Sequence, residues 1–290
     1  MSAVGFVHDW LTGQRGGENV LAAIAQLAPR APIHTLFHFP GSVDASLEAH
    51  PIETTWLQRA PWIRSRYRHY LPFFPRAVEA LDTRRHQLLV STSHCVAKGA
   101  RPAPGGRHVC YCHTPMRYVW DQRRAYFPPP KGPVGWLRER LLDRLQRWDV
   151  ATAGRVDLYL ANSSFVAGRI RRYYGRDSEV LAPPVDTAFF APFAATERSP
   201  AAAGGYAVMI AALAPYKKVD VAIESCRQAG IGLVVVGTGP EERRLRSLAG
   251  PDVRFAGRLP RPELARTLAG AALYLQPGLI DLLLQVGDLL

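Results

Sequence analysis

Two side chains, an imidazole and an ammonium, stand where short apolar runs of the sequence end. His113 follows the run that ends at Cys112, and Lys217 follows the run that begins at Tyr206. Ligands of open parallel sheets bind beyond the carboxyl ends of the strands. An imidazole there can hydrogen-bond a sugar hydroxyl or orient a reacting group, and an ammonium can neutralise charge on a leaving diphosphate. A structural histidine and a solvated lysine are the alternatives.

Two glycine-containing loops also lie between an apolar run and an amphipathic stretch. The first, TGQRGGE, contains Gly16 and Gly17, and the second, VVVGTGPEE, contains Gly237 and Gly239. Glycine lets the backbone approach a ligand closely, and a helix N-terminus offers free N–H groups to an anion. Neither loop has the spacing G-x-G-x-x-G or that of a P-loop. The loops therefore predict contacts with phosphate, and a tight turn is the alternative for each.

The segment Trp56–Arg76 mixes arginines with aromatic residues. Its members are Trp56, Arg59, Trp62, Arg64, Arg66, Tyr67, Arg68, Tyr70, Phe73, Phe74 and Arg76. This mixture suits the surface of an anionic membrane or a lipid-linked acceptor. The alternatives are a core helix with a solvated basic face and a surface that stacks single-stranded nucleic acid.

The chain contains four cysteines, and three of them lie near histidines. They are Cys95, Cys110, Cys112 and Cys226, with His94 and His113 close to the first three. This cluster is compatible with zinc, but it has no C-x-x-C pair. Cys110 and Cys112 stand two apart in a predicted strand, so they share one face. The sequence therefore predicts buried, reduced thiols and no bound metal.

The composition is that of a globular protein with an excess of basic residues. Of 290 residues, 48% are hydrophobic and 21% are charged, and 36 Lys and Arg against 24 Asp and Glu give a net charge of +12. Such a charge attracts anions such as nucleic acid, acidic lipid or phosphorylated small molecules. No apolar run approaches the ~20 residues that span a bilayer. The first residues do not have the pattern of a signal peptide, which predicts a cytoplasmic protein.

The pattern of elements predicts an α/β fold. Predicted strands in the first half are Val4–Val7, Ile33–Phe37, Leu88–Ser91, Val109–Cys112 and Leu158–Ala161. Predicted helices are Glu18–Leu27, Trp136–Ala153 and one that Asn162 or Ser163 caps and that ends near Tyr174. Strands separated by helices imply a parallel sheet that is covered on both faces.

A second unit follows a Pro-, Ala- and Gly-rich stretch, Ala182–Gly205, which reads as a linker. Its predicted strands are Tyr206–Ala212, Leu233–Val236, Val253–Ala256 and Ala271–Leu275, and its predicted helices are Val219–Gln228, Pro240–Leu248 and Pro262–Leu268. Strand–helix–strand order with short connections indicates a Rossmann-type half. The sequence therefore predicts two domains, 1–190 and 191–290.

Taken in order, several stretches resemble glycosyltransferase family 4, and specifically its bacterial mannosyltransferase-like branch. They cover nearly all of residues 4–278 and include VHDWLTGQRGGENVL, IHTLFHFPGSV, STSHCVAKG, CYCHTPMRYVWDQ, ANSSFVAGRI, LAPYKKVDVAIES and VVGTGPEERRLRSLAGPDVRFAGRL. The resemblance implies a GT-B fold of two Rossmann-like domains with a cleft between them.

The resemblance also implies a retaining transferase that moves a hexose, mannose from GDP-mannose, to a lipid-linked saccharide in cell-surface polysaccharide synthesis. The N-terminal domain would hold the acceptor and the C-terminal domain the donor. Gly16 and Gly17 would lie near the donor phosphates, His113 near the transferred sugar, and Lys217 on the diphosphate. Gly237, Gly239 and Arg258 are also predicted to bind the donor, and no cofactor is implied.

The chain departs from the family pattern at two places. Ala212 stands where many members have an arginine, which removes a possible bidentate phosphate contact. After about Gly278 the expected acidic loop is replaced by LIDLLLQVGDLL, and no glutamate follows Glu263. This second departure predicts a truncated or frameshifted C-terminus and impaired activity.

Three functions therefore compete on the sequence alone. The first is the sugar transferase, associated with the inner face of the plasma membrane through Trp56–Arg76. The second is a non-catalytic remnant that retains acceptor or membrane binding. The third, a nucleic-acid binder, depends on net charge alone and has no recognition motif, so it is disfavoured.

Overall fold

The computed structural model describes residues 3–196 and 205–277. The chain divides into two compact units, Met1–Pro184 and Val185–Leu290. Each unit contains one parallel β-sheet, of seven strands in the first and four in the second. The α/β prediction with two parallel sheets is confirmed, and the second sheet is the smaller.

The sheet of the first unit has the order β3-β2-β1-β4-β5-β6-β7. Its strands are β1 (Val4–His8), β2 (Ile33–Thr35), β3 (Ile52–Thr54), β4 (Leu88–Ser93), β5 (Arg107–Cys112), β6 (Leu158–Ala161) and β7 (Glu179–Val180). The chain leaves β1 toward β2 on one side, and β4 lies on the other side of β1. The strand order thus reverses between β1 and β4, and such a switch point opens a crevice at the carboxyl ends of the two strands.

The helices of the first unit cover both faces of this sheet. They are α1 (Gly16–Ala25), α2 (Ala45–Glu48), α3 (Ile63–Arg66), α4 (Phe74–Glu79), α5 (Arg123–Tyr126), α6 (Gly132–Ala153) and α7 (Ser164–Tyr174). Short 3₁₀ turns cover Trp56–Arg59, Tyr67–Phe73 and Ala97–Gly99. The Ser163 hydroxyl accepts a hydrogen bond from the Val166 N–H, which confirms the predicted cap of α7.

The second unit has the strand order β10-β9-β8-β11. Its elements are α8 (Thr187–Thr196), β8 (Ala207–Ile210), a 3₁₀ turn at Pro215–Lys217, α9 (Val219–Ala229), β9 (Leu233–Val236), α10 (Glu242–Leu248), β10 (Val253–Gly257), α11 (Arg261–Ala269) and β11 (Leu273–Tyr274). β9 is buried along its whole length, as a run of apolar residues inside a parallel sheet should be.

One helix boundary changes the description of the first glycine loop. The sequence predicts that the first helix begins at Glu18, but α1 begins at Gly16. Arg15 remains extended, and the two glycines form the first turn of the helix. The apolar pattern could not reveal this start because glycine adds nothing to an amphipathic stripe.

The linker prediction for Ala182–Gly205 is wrong in its middle, because α8 lies there. Asp186 accepts a hydrogen bond from the Phe189 N–H at 3.1 Å and forms an ion pair with Arg261. The Arg261 guanidinium also lies 4.2 Å from the centroid of the Phe189 ring. The helix is thus held to α11 by aromatic and charged contacts, although it contains a proline, Pro192, in its interior.

The segment Trp56–Arg76 is neither one core helix nor one exposed helix. It is a series of short turns, and Trp62 adopts a left-handed conformation with φ of 50° at the start of α3. Phe74 is buried, whereas Trp62 is 72% exposed and Phe73 is 51% exposed. Trp56 lies against Phe73 with ring centroids 6.3 Å apart. The segment therefore anchors in the core and presents aromatic rings outward.

A buried lysine ties α6 to the segment that follows β4. The Lys98 ammonium donates to the Asp149 carbonyl at 2.6 Å and to the Thr152 hydroxyl at 2.8 Å, and it pairs with the Asp149 carboxylate at 3.1 Å. The same carboxylate accepts from the Trp120 indole N–H at 2.8 Å and from the Tyr174 hydroxyl. A buried charge is tolerated here because each of its polar atoms has a partner.

Buried histidines in the first sheet predict that the protein loses stability in mild acid. Burial lowers the pKa of His108 from its ordinary 6.5 to about 4, and burial also lowers the pKa of His34. Between these pH values the unfolded chain binds a proton that the folded chain does not, so stability falls as the pH drops through this window. Urea denaturation should show a loss of about 2–3 kcal/mol through His108 between pH 7 and pH 4.5.

His108→Gln should flatten this pH dependence of stability. The control is His69→Gln, which removes an exposed imidazole and should leave the pH dependence unchanged. Equal pH profiles for the two variants would contradict the assignment.

Within residues 3–196 and 205–277, no helix is both long and apolar enough to cross a bilayer.

Candidate functional site

The crevice at the switch point of the first sheet collects polar side chains from three neighbouring strands. His8 ends β1, His94 follows β4, and His113 follows β5. β1 pairs with β4 and β4 with β5, so these three strand ends are adjacent. The His113 N–H donates to the Ser93 carbonyl at 2.9 Å, which fixes the backbone that carries this imidazole.

The structure brings Gly17 next to His113. A Cβ atom added to Gly17 would lie 3.5 Å from His113 Nε2 and 3.6 Å from His8 Cε1, whereas a Cβ on Gly16 would meet nothing within 4 Å. The first backbone N–H groups of a helix have no partner inside the helix. The start of α1 therefore presents free N–H donors beside two imidazoles, with no side chain in between.

Two imidazole nitrogens at this place lack hydrogen-bond partners. His8 Nδ1 lies 2.6 Å from the Thr92 hydroxyl, but His8 Nε2 and His113 Nε2 are buried and hydrogen-bond to no atom of the described chain. A buried polar atom without a partner costs stability, on the order of 1–3 kcal/mol. Such atoms are the ones that a bound hydroxyl or phosphate oxygen would satisfy.

The imidazole of His113 is neutral at physiological pH. Burial, together with the nearby His8 and His94, lowers its pKa from 6.5 to about 3. A neutral imidazole can donate or accept one hydrogen bond at Nε2, depending on its tautomer. His113 is therefore suited to orient a hydroxyl and unsuited to carry a proton between pH 5 and pH 8.

This neutrality predicts the pH dependence of a reaction at the crevice. The profile of kcat/KM should contain no ionisation near pH 6–7 from His113, since its folded pKa is about 3. His113→Gln should lower the rate yet keep the shape of the profile. An acidic limb near pH 6.5 that disappears in His113→Gln would show that the imidazole titrates, and would contradict this expectation.

Asp9 holds two of the loops of this crevice together. Its carboxylate accepts hydrogen bonds from the backbone N–H groups of His94, Cys95, Val96 and Ala97, at 2.6–3.0 Å. The His94 Nδ1 lies 3.0 Å from the same carboxylate. Burial alone would raise the pKa of Asp9, but His94 and these donors hold that pKa far below its usual range.

Glu18 is a second buried carboxylate of the crevice. It lies in the first turn of α1, with one oxygen 3.8 Å from His8 Nε2. Burial raises the pKa of Glu18, but His8, the Glu18 backbone N–H and Arg15 together outweigh it, so the net pKa is lowered. Sequence reasoning missed His8, Asp9 and Glu18 as members of this crevice. The available signal was their position, directly after the first strand and directly after its glycine loop.

In the second unit, three adjacent strands end in the predicted donor-binding residues. Lys217 follows β8, Gly237 and Gly239 follow β9, and Arg258 follows β10. The Gly237 N–H donates to the Gly257 carbonyl at 2.7 Å, next to the exposed Arg258. Lys217 is half-buried, with its ammonium 5.5 Å from the Tyr216 ring. No carboxylate in the described part of the chain pairs with it.

Gly237 and Gly239 have a steric role in the fold. A Cβ on Gly237 would lie 2.0 Å from the Ala211 carbonyl oxygen, and a Cβ on Gly239 would lie 2.4 Å from the Leu213 carbonyl oxygen. The loop after β9 thus packs against the loop after β8, and no side chain fits between them. This packing accounts for both glycines, and their contact with a donor stays a prediction.

The match to a known protein family decides the classification. A family model described as Glycosyltransferase Family 4 matches residues 14–189. The chain belongs to glycosyltransferase family 4. This enzyme class transfers a sugar from a nucleotide-sugar donor. No curated protein matches the sequence of this family 4 glycosyltransferase.

Solved structures share the fold of this family 4 glycosyltransferase at low sequence identity. Anabaena Alr3699/HepE in complex with UDP and glucose is 16% identical, with a TM-score of 0.61 over 95% of this chain and 74% of that chain. The catalytic domain of starch synthase IV from Arabidopsis thaliana, bound to ADP and acarbose, is 11% identical, with a TM-score of 0.52 over 95% and 78%. The GT-B fold is thereby confirmed.

The cysteines of this family 4 glycosyltransferase are buried thiols. Burial raises the pKa of Cys110 to about 12 and raises those of Cys95 and Cys112 well above their usual value. Among the residues that the structure describes, no three His, Cys, Asp or Glu side chains are arranged to hold a metal ion.

The predicted departure after about Gly278 lies outside the described residues. That His113 and Lys217 face one cleft stays a prediction.

Proposed function

We propose that this family 4 glycosyltransferase moves mannose from GDP-mannose to a lipid-linked saccharide, with retention at the anomeric carbon. The observation that carries the proposal is the start of α1, where a Cβ on Gly17 would lie 3.5 Å from the unpartnered Nε2 of His113 and 3.6 Å from Cε1 of His8. Free N–H donors, the neutral imidazole of His113 and the neighbouring ring of His8, without an intervening side chain, suit the phosphate and the adjoining sugar of a nucleotide-sugar.

The backbone at Gly16 and Gly17 is suited to the donor phosphates. An anion at a helix N-terminus gains hydrogen bonds from free N–H groups and favourable interaction with the helix dipole. The absence of a side chain at Gly17 lets a phosphate oxygen approach this turn closely. These contacts need no cationic side chain, and Arg15 at the helix start adds positive charge nearby.

His113 is proposed to hydrogen-bond a hydroxyl of the transferred sugar through its unpartnered Nε2. Glycosyl transfer passes through an oxocarbenium-like sugar, and negative charge builds on the departing phosphate. A neutral imidazole places no positive charge beside the cationic sugar. Its hydrogen bond instead fixes the orientation of the sugar ring, and correct orientation of the reacting groups raises the rate.

Lys217, Arg258 and the loop of Gly237 and Gly239 are proposed to bind the nucleotide side of the donor. All lie at the carboxyl ends of adjacent strands in the second unit, the edge where Rossmann-type sheets bind ligands. Lys217 neutralises the charge that develops on the leaving diphosphate. Ala212 lies in the loop after β8, so a guanidinium is absent from this position.

The composition and exposure of the Trp56–Arg76 segment support the proposal that the acceptor is bound to a membrane. Its exposed Trp56, Trp62 and Phe73 lie among arginines, as at a surface that meets anionic head groups. We therefore propose peripheral association with the inner face of the plasma membrane. Nucleic acid is the disfavoured partner, because the sequence contains no recognition motif for it.

Calorimetric titration of the full chain with GDP-mannose, UDP-glucose and other nucleotide-sugars, followed by assay of nucleoside diphosphate release, tests this function. UDP-glucose belongs in the panel because Alr3699/HepE was solved with UDP and glucose. Binding and release with one donor are expected. Binding without release would favour the non-catalytic alternative, and tight, salt-sensitive binding of single-stranded DNA without donor binding would overturn both.

Gly17→Ala provides a sharper test of the phosphate contact. Its methyl group would lie in ordinary contact with His113 Nε2 and His8, so we expect a folded protein. The same methyl occupies the approach to the helix N-terminus, and donor affinity should fall about tenfold in calorimetry. Gly168→Ala in α7, where a Cβ meets nothing within 4 Å, is the matched control. Equal donor affinities for the two variants would contradict the phosphate assignment.

A further inference from the structure

An open groove of about 600 Å³ lies between α4, with the turn before it, and α6 in the first unit. Its apolar lining consists of Pro72, Phe73, Pro75, Leu141, Leu145 and Trp148. The volume lies within the range of small-molecule sites, about 300–1,000 Å³. None of these residues belongs to the crevice of His8, Gly17 and His113.

The apolar surface continues beyond the groove along one side of α6. Val134, Leu137 and Leu141 stand at helical spacing, and all three are exposed, Leu141 by 37%. From Val134 to Trp148 the helix rises about 21 Å. The exposed ring of Phe73 also lines the groove, and it contacts Trp56. The apolar groove therefore adjoins the aromatic rings of the Trp56–Arg76 segment.

The rim of the groove is positively charged. Arg76 and Arg144 both line it, and neither guanidinium has an ion-pair partner within the described ranges 3–196 and 205–277. The lining contains one acidic residue, Glu79, and its negative charge is balanced by Arg155 at 2.7 Å. Its carboxylate also accepts a hydrogen bond from the Trp148 indole N–H at 3.0 Å. An occupant therefore meets an apolar floor and two free cations.

We propose that this groove binds the hydrocarbon chain of a phosphate-bearing lipid, with the phosphate held by Arg76 and Arg144. The inference rests on the proposed transfer to a lipid-linked acceptor and assigns a place to the lipid part of that substrate. A lipid phosphate matches both features of the groove, because the chain buries against apolar side chains and the anion pairs with the rim.

The charge pattern favours a lipid over a second copy of this chain. A two-fold dimer would place the same patch of each copy against the other. Arg76 and Arg144 of both copies would then approach one another without carboxylates to separate them. Like charges brought together in this way oppose association.

Calorimetry with farnesyl phosphate, farnesol and inorganic phosphate as separate probes tests the site on the full chain. Farnesyl phosphate should bind more tightly than either of the others. Leu141→Asp should weaken its binding about tenfold or more, because it places a charge against the hydrocarbon chain. Leu27→Asp, which changes an exposed leucine just beyond α1, should leave the affinity within about twofold.

The rim is tested by Arg76→Ala combined with Arg144→Ala. This double substitution should lower the affinity for farnesyl phosphate about fivefold or more and leave the affinity for farnesol unchanged, since only a phosphate loses its partners. The matched control combines Arg140→Ala with Arg147→Ala, two exposed arginines of α6 that do not line the groove. Circular dichroism checks that each variant folds.

Three results would overturn the site. They are equal affinities of Leu141→Asp and Leu27→Asp, binding of inorganic phosphate as tight as that of farnesyl phosphate, or a dimer that Leu141→Asp abolishes. The proposed function is judged separately, by donor binding and diphosphate release. If the donor is turned over and farnesyl phosphate does not bind, only the groove assignment fails. If farnesyl phosphate binds and no donor does, the transferase proposal fails.

Discussion

Replacing Lys217 with methionine is expected to lower kcat for sugar transfer about 10²- to 10³-fold. The ammonium is proposed to stabilise charge that appears on the diphosphate only as the glycosidic bond breaks, and removing one such group typically costs this much. Because the contact strengthens in the transition state, kcat should fall more than donor affinity. The half-buried Lys217 has no carboxylate partner in the part of the chain that the structure describes, so its loss leaves no unpaired anion behind.

The measurement is the steady-state rate of nucleoside diphosphate release, with donor affinity measured separately by calorimetry. Lys131→Met is the matched control, since it removes an exposed lysine of the first unit and should change kcat by less than twofold. A Lys217→Met enzyme with unchanged kcat would remove this residue from the mechanism. A loss confined to affinity would leave it as a ground-state contact.

Asp9→Ala is expected to lower the free energy of unfolding of the first unit by about 3–5 kcal/mol, the usual cost of breaking a buried charged network. Four backbone N–H groups would lose their acceptor, and His94 would lose its carboxylate. A buried donor that is left unsatisfied bears the full cost of its desolvation. Urea denaturation followed by circular dichroism measures the change.

Asp143→Ala serves as the control for this substitution. Asp143 pairs with Arg123 at 2.7 Å, but its side chain is about half exposed, so its removal should cost less than about 1 kcal/mol. Equal losses for the two variants would show that the Asp9 network contributes no more than a surface ion pair. A more stable Asp9→Ala protein would contradict its role in the fold.

Much of the architecture could be predicted from the sequence because it depends on local patterns. Apolar runs such as Leu233–Val236 give β9 with the same bounds, and Ser163 caps α7 through its hydroxyl. The edge strands β3 and β7 were missed because they are two or three residues long, contain a glutamate each and form no apolar run. The helix α8 was missed because its order depends on contacts with α11, and local composition does not encode those contacts.

The candidate crevice was predictable in part for a similar reason. Gly17 and His113 each follow a strand, and parallel strands bring their carboxyl ends to one edge, so their proximity follows from topology. The roles of His8 and Asp9 could not be derived in this way. Their chemistry depends on which partners surround them. Glu18 is close in the chain, but Thr92 and the turn at His94–Ala97 lie 84 or more residues away.

The carboxylate of Asp9 also bears on how the crevice receives a ligand. Because Asp9 holds the turn at His94–Ala97 against the end of β1, this turn loses its conformational entropy when the protein folds and not when a ligand binds. A sugar that arrives later does not have to order this wall again, so less of its interaction energy is offset. The rigidity that Asp9 gives to this turn thereby raises the affinity that the neighbouring imidazoles can provide.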